Sequence, residues 1–287
     1  MKRLELWIIG GILLLSAILI MAFSNRFTAY EAPDDITYSI ENKWELPDVL
    51  EEVSGIAWIG DHKMATVQDE DGTIFIYDLK ARKITEKIDF ADGGDYEAIA
   101  VNGNDAYVMR SDGKLYEITD YRGEKPDVKS YELSFLEKSN VEAMAVDVAN
   151  NRLLIMPKDR DPNDDNYKGV YTFSLETKKA EKVPMLKIDM GLAAFKDFEK
   201  KKKYKTIRPS AMAIHPLSKD FYILEGVNPK LLIFDAKGKL KKIHLFDKRK
   251  FLQPEGITFS SDGTLYISNE ANGEKPTILE VKLNDSE

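Results

Sequence analysis

The chain contains no cysteine, which excludes disulfides, thiolate metal sites, a cysteine nucleophile and a lipid-modified cysteine. Histidine is scarce. The three present, His62, His215 and His244, have no pair at zinc-binding spacing, and each reads as an ordinary strand or turn residue. There is no surplus of positive charge either: 41 Lys and Arg stand against 49 Asp and Glu, a net charge of -8. Nucleic acid is therefore excluded as a partner class, since nothing draws the protein to phosphate backbones. The sequence has no phosphate loop, no nucleophile elbow and no serine with a histidine base.

Long hydrophobic runs are absent with one exception. Leu6 to Phe23 holds no charge and no proline, and at 1.5 Å rise per residue it spans about 27 Å, close to a bilayer core. Lys2 and Arg3 precede it, which favours an N-inside, C-outside anchor and places the rest of the chain outside the cytoplasm. A cleaved signal peptide is the alternative, because Ala22-Phe23-Ser24 has small residues at peptidase spacing. The expected organisation is an anchor over 1–25, a linker over 26–35 and one folded domain over 36–287. With 43% hydrophobic and 31% charged residues, the composition suits a globular domain.

That domain repeats. Ser54-Gly55-Ile56-Ala57, Glu97-Ala98-Ile99-Ala100, Glu142-Ala143-Met144-Ala145, Ser210-Ala211-Met212-Ala213 and Glu255-Gly256-Ile257-Thr258 share one pattern, spaced by 43, 45, 68 and 45 residues. The recurring value fits a four-stranded propeller blade. Each segment is followed by a second apolar strand, a turn and a third strand, with Asp71-Gly72, Asp112-Gly113 and Asp262-Gly263 at turns. The last repeat reaches the C-terminus after three strands. Ile36 to Leu46 has strand character and no blade of its own, so it is expected to close the ring as the fourth strand of the last blade and cover its edge. The fold class is an all-β, five-bladed β-propeller, with six blades as the alternative if a degenerate blade fills the long interval. Within that interval Leu192, Phe195 and Phe198 fall at helical spacing beside Lys200 to Lys203, which predicts a short surface helix over Met190 to Tyr204.

The first strand of every blade lines the axis of a propeller, so the repeat places Ser54, Glu97, Glu142, Ser210 and Glu255 around one channel. Three carboxylates a few ångströms apart repel by several kcal/mol at an effective dielectric of about 20. Such a ring calls for a cation, bound protons or a cationic ligand. Oxygen ligands alone suit a hard ion, so Glu97, Glu142 and Glu255 are candidate ligands for a divalent cation, calcium first and magnesium second. The second strand returns to the same face, bringing Gln68 and Asp69, Arg110, Lys158 and Asp159, Glu225, and Asn269 with Glu270 to the mouth. From this crown and the ring, Ser54, Asp69, Arg110, Lys158, Ser210, Glu225 and Asn269 are candidate contacts for a polar ligand; salt bridging between blade tips is the structural alternative. Asp159 to Asn166 is rich in calcium-type oxygens but lacks the glycine and glutamate of an EF-hand loop, and reads as an acidic hairpin loop.

Val53-Ser54-Gly55-Ile56-Ala57-Trp58, Tyr96-Glu97-Ala98-Ile99, Val141-Glu142-Ala143-Met144-Ala145 and Pro254-Glu255-Gly256-Ile257 resemble the SdiA-regulated, YjiK-like family of bacterial membrane-anchored propellers. The resemblance runs from about Ile36 to Leu283 and implies the propeller fold, the envelope location and a metal in the channel. The insertion over Met190 to Tyr204 departs from it. The expected function is an extracytoplasmic propeller that binds a small polar ligand or an envelope protein at the mouth of an acidic, cation-occupied channel. The alternatives are a calcium-dependent esterase, lactonase or phosphoesterase, and a glycosidase using paired axial carboxylates.

Overall fold

The computed structural model describes residues 36–284. Their strands form five four-stranded antiparallel sheets, and the inner strand of each packs against those of its two neighbours to complete a ring. The inner strands are Val53–Trp58, Tyr96–Asn102, Val141–Asp147, Pro209–Ile214 and Pro254–Phe259, which open blades 1 to 5 in order. These are the five repeats read from the sequence. A closed ring leaves no inner edge, and alternating apolar residues fill the wedges between adjacent blades.

The ring is closed as expected. Tyr38–Glu45 pairs antiparallel with Thr277–Leu283 and completes blade 5. It also grips both neighbours. The Tyr38 ring meets Phe246 and Phe251 of the blade 4 side edge-on at 5.1 and 5.3 Å, while the Trp44 indole N–H donates to the Leu79 carbonyl of blade 1 at 2.9 Å.

There is no sixth blade among the described residues. The long interval is taken up by an outer strand, Leu186–Asp189, and by two short 3-10 helices, Ala193–Phe198 and Lys203–Lys205. This corrects the expected surface helix. Its apolar spacing is used for packing instead: Phe195 is buried between blades 3 and 4, with Leu192 and Phe198 half-buried beside it. So short a stretch, followed by four like charges, cannot sustain an isolated α-helix. Tight i to i+3 turns set the same side chains inward.

The expected membrane span and the linker over 26–35 lie outside the described residues. Among the described residues no helix is long and apolar enough to cross a membrane.

Candidate functional site at the channel mouth

In every inner strand the pairing with the second strand slips at one place. The slips lie between Val53 and Gly55, Tyr96 and Ala98, Val141 and Ala143, Pro209 and Ala211, and Pro254 and Gly256. The residues at these slips are Ser54, Glu97, Glu142, Ser210 and Glu255. The repeat position singled out in the sequence is thus a β-bulge repeated in all five blades, a device that bends the strand and re-aims one side chain. The small residue that follows answers to close approach at the axis. A Cβ on Gly55 would lie 2.8 Å from the Ile99 amide nitrogen of blade 2, and one on Gly256 would lie 3.1 Å from that of Ile56 in blade 1.

The serines and the glutamates at these bulges do different work. Ser54 donates to the Tyr96 carbonyl at 2.5 Å, and Ser210 to the Pro254 carbonyl at 2.8 Å. Each hydroxyl therefore fastens its blade to the next, at the residue before a glutamate bulge. Both serines are almost fully buried, so they hold the ring rather than present a hydroxyl to a ligand.

Lys158, just past the second strand of blade 3, sends its ammonium into the ring. It pairs with Glu142 and lies 3.9 Å from Oε1 of Glu255. Burial pushes the Glu97 carboxyl up to about 10, with Glu142 and Asp95 adding repulsion. Glu142 is pushed up to about 8 by burial, against the pull of Lys158. Burial also raises Glu255, while Lys158, Ser210 and Gln253 oppose it. Burial works against the Lys158 charge, yet Glu255 and Glu142 hold its pKa above the ordinary lysine value. Farther round the mouth, burial and Glu255 push Glu270 up to about 8. Asp69 rises to about 7 through burial and its neighbour Glu52.

The rest of the expected crown divides. Strand register confirms that the second strands end at this mouth, since Gln68, Arg110, Pro157, Glu225 and Asn269 pair with residues just before the bulges. Arg110 is committed to Asp112 of its own hairpin, with nitrogens at 2.9 and 2.5 Å from the carboxylate. Glu225 is sealed in an ion pair with Lys230 at 2.8 Å, both 1–2% exposed, and Phe198 of the insertion lies over that ammonium at 4.9 Å. Neither reaches into the ring. Asn269 is buried and donates to Thr277 at 3.1 Å, while its Oδ1 has no hydrogen-bond partner among the described residues. The same holds for Oε2 of Glu255 and Oδ1 of Asp69.

The expected calcium ion meets a donor set that does not suit it. Among the described residues no three acidic or histidine side chains converge closely enough to hold a metal ion, and an ammonium already stands between Glu142 and Glu255. A hard cation needs several oxygens at 2.3–2.6 Å. The loop over Asp159 to Asn166 is self-satisfied as well. Asp161 accepts from the Gly169 amide at 2.7 Å and the Tyr171 hydroxyl at 2.8 Å, and Arg160 pairs with Asp165 at 2.9 Å.

The repeat carries a second equivalent position at the mouth. Two positions before each bulge residue stand Glu52, Asp95, Asn140, Arg208 and Gln253, every one polar. Asn140 donates to Oε1 of Glu142 at 2.7 Å, Arg208 to Asp159 at 2.8 Å, and Gln253 to Glu270. Together they make a second polar tier above the bulges. Below the bulges the channel turns apolar: Ile56, Ile99, Met144, Met212 and Ile257 are each 5% exposed or less. They also line a recess of about 340 Å³ that opens at the opposite end. The polar ring is thus approached from one face.

A single ring of five four-stranded sheets defines the class: a five-bladed β-propeller. The chain belongs to the SdiA-regulated family, whose model matches residues 31–273. Among solved structures, glutaminyl cyclase of Myxococcus xanthus is similar in fold. It has a TM-score of 0.61 and 12% identity over 87% of this chain and 97% of that one. More distant are a streptogramin B lyase, with a TM-score of 0.47 and 14% identity over 88% and 76% of the two chains, and a Bacteroides thetaiotaomicron protein of unknown function, at 0.49 and 16% over 82% and 56%. No curated protein sequence matches the chain.

Proposed function

We propose that this protein is a ligand-binding propeller of the cell envelope that receives a small polar ligand at the acidic channel mouth. One observation carries the reading. Glu255, Asn269 and Asp69 each keep a buried oxygen at the same mouth that has no hydrogen-bond partner among the described residues. An unsatisfied buried acceptor costs about 1–3 kcal/mol, and a cluster of them in a folded protein asks for a partner that completes it. The envelope location rests on the apolar run Leu6 to Phe23. No observation favours a hydrolase specifically: what the ring offers is carboxyls raised by burial and an ammonium paired among them.

Ligand classes separate cleanly by calorimetry. Full-length protein in detergent is titrated with amines, carboxylates and neutral sugars, then again as the Glu255→Gln variant. The reading expects at least one class to bind and to weaken at least tenfold in the variant. Binding that ignores the substitution in every class places the ligand site elsewhere and overturns it. A reporter fused after Glu287 tests the location, with activity expected outside the cytoplasm.

A further inference from the structure

The cations of the mouth are unevenly placed. Lys158 and Arg208 stand on blades 3 and 4, and both are committed, Lys158 to Glu142 and Glu255 and Arg208 to Asp159. Arg110, on blade 2, is held by its hairpin partner Asp112. The side formed by blades 5 and 1 presents Glu255, Asn269, Glu270, Asp69 and Glu52, with no lysine or arginine paired to any of the last four among the described residues.

This is more than a cluster of acids. Glu255 and Asn269 are 5% and 2% exposed, and each keeps an oxygen with no partner among the described residues. Asn269 spends its amide donor on Thr277 and so offers only its carbonyl. The unpartnered carboxyl and amide oxygens on this side are acceptors that a donor completes; the buried Ser268 hydroxyl beside them also has no partner among the described residues and can act either way.

We propose that the blade 5 and blade 1 side of the mouth is a receptor for a primary ammonium or guanidinium group carried by a small organic cation. The inference rests on the channel mouth being the ligand site and names the ligand's chemistry. An ammonium has three donors and no acceptor, and a guanidinium five. Either satisfies unpartnered oxygens, and as it binds it favours release of the protons these buried carboxyls hold and pairs with the carboxylates that result. Lys158 shows the fit from inside the protein, since an ammonium already rests between two glutamates of the same ring. Oε1 of Glu255 faces that ammonium and Gly226, where an added Cβ would sit 2.8 Å away. A divalent ion suits the place less well, because it would meet the Lys158 charge without converging oxygens. The ring lies at the mouth, so the cationic head is received there and the rest of the ligand stays in solvent.

The test is calorimetric titration of full-length protein in detergent with 1,4-diaminobutane, agmatine, tetramethylammonium and calcium chloride. Agmatine or the diamine is expected to bind, and tetramethylammonium, which carries charge without N–H donors, at least tenfold more weakly. Glu255→Gln and the more exposed Glu270→Gln should each weaken the amine at least fivefold, whereas Lys158→Met, which frees two carboxylates, should tighten it. Tetramethylammonium binding as well as agmatine would overturn the proposal, as would amine binding unchanged in both glutamine variants. Calcium binding that both variants abolish, without any amine binding, would replace it with a metal site. If carboxylates or sugars bind through Glu255 and amines do not, the ligand class is wrong while the channel mouth remains the site. If no probe depends on the mouth, both readings fall.

Discussion

Lys158 stands on blade 3 and Glu255 on blade 5, yet their charged groups lie 3.9 Å apart across the channel. The lysine reaches past blade 4 to do this, while also pairing with Glu142 of its own blade. Its loop is held from behind. The fully buried Lys168 ammonium donates to the carbonyl of Lys158 at 2.7 Å and to that of Asp159. A ring of three carboxylates thereby carries a resident positive charge.

Removing that charge should be costly only while the glutamates are ionised. Lys158→Met is expected to lose about 3–5 kcal/mol at pH 8, the usual range for breaking a buried ion pair. The loss should be clearly smaller at pH 5, where the carboxyls hold protons. Urea denaturation at the two pH values measures both. Equal losses would mean that the lysine contributes packing and not charge.

The wild-type protein should become less stable as the pH rises above about 5. Glu142 and Glu270, raised to about 8, and Asp69, raised to about 7, hold protons in the folded state that the unfolded chain has released. Stability from a raised carboxyl is complete below its unfolded pKa and is lost as the pH climbs through the folded one. Each whole proton of difference is worth about 1.4 kcal/mol per pH unit. Glu97, raised to about 10, extends the decline. Three groups oppose it. His215 is lowered by burial and acts near its ordinary range, while Lys168, lowered to about 8, and Lys230, also lowered by burial, act above that. Denaturation midpoints should fall across this window, and less steeply in Glu142→Gln. Midpoints that rise instead would show these glutamates to be ionised in the folded protein.

Ser210 separates a fastening role from a binding one. Ser210→Ala loses the hydrogen bond to the Pro254 carbonyl and should cost about 1 kcal/mol. Ligand affinity should stay within twofold of wild type. A large loss of affinity with unchanged stability would make the hydroxyl a ligand contact after all.

Closure of the ring rests on few side chains. Tyr38 is 3% exposed between Phe246 and Phe251, and its hydroxyl accepts from the Asp247 amide at 3.1 Å. Tyr38→Ala is expected to cost about 3–5 kcal/mol. Deleting Ile36 to Leu46 should expose the edge of blade 5 and cause aggregation. A monomeric, fully folded deletion variant, judged by light scattering and circular dichroism, would contradict this closure.

Blade count, strand order and closing strand were all legible in the sequence, because each depends on local pattern. Alternating apolar residues make strands. A small residue marks the close approach at Gly55 and Gly256, and an unpaired strand at one end of a three-stranded repeat must close the ring. The equivalence of Glu97, Glu142 and Glu255 was legible for the same reason, and so was the polar tier of Glu52, Asp95, Asn140, Arg208 and Gln253. The five bulges were not, since a one-residue slip depends on how two strands register and leaves the residue types unchanged. Helical spacing at Leu192, Phe195 and Phe198 correctly marked an apolar face and misjudged the backbone beneath it. Charge pairing was least legible of all. Lys158, Glu225 and Arg110 look alike at the ends of second strands, yet one enters the ring, one is sealed by Lys230 and one folds onto Asp112. Repetition along the chain determines which side chains arrive at the channel. Only the closed ring decides which charges meet there, because their partners come from other blades and burial sets how strongly each pair must be satisfied.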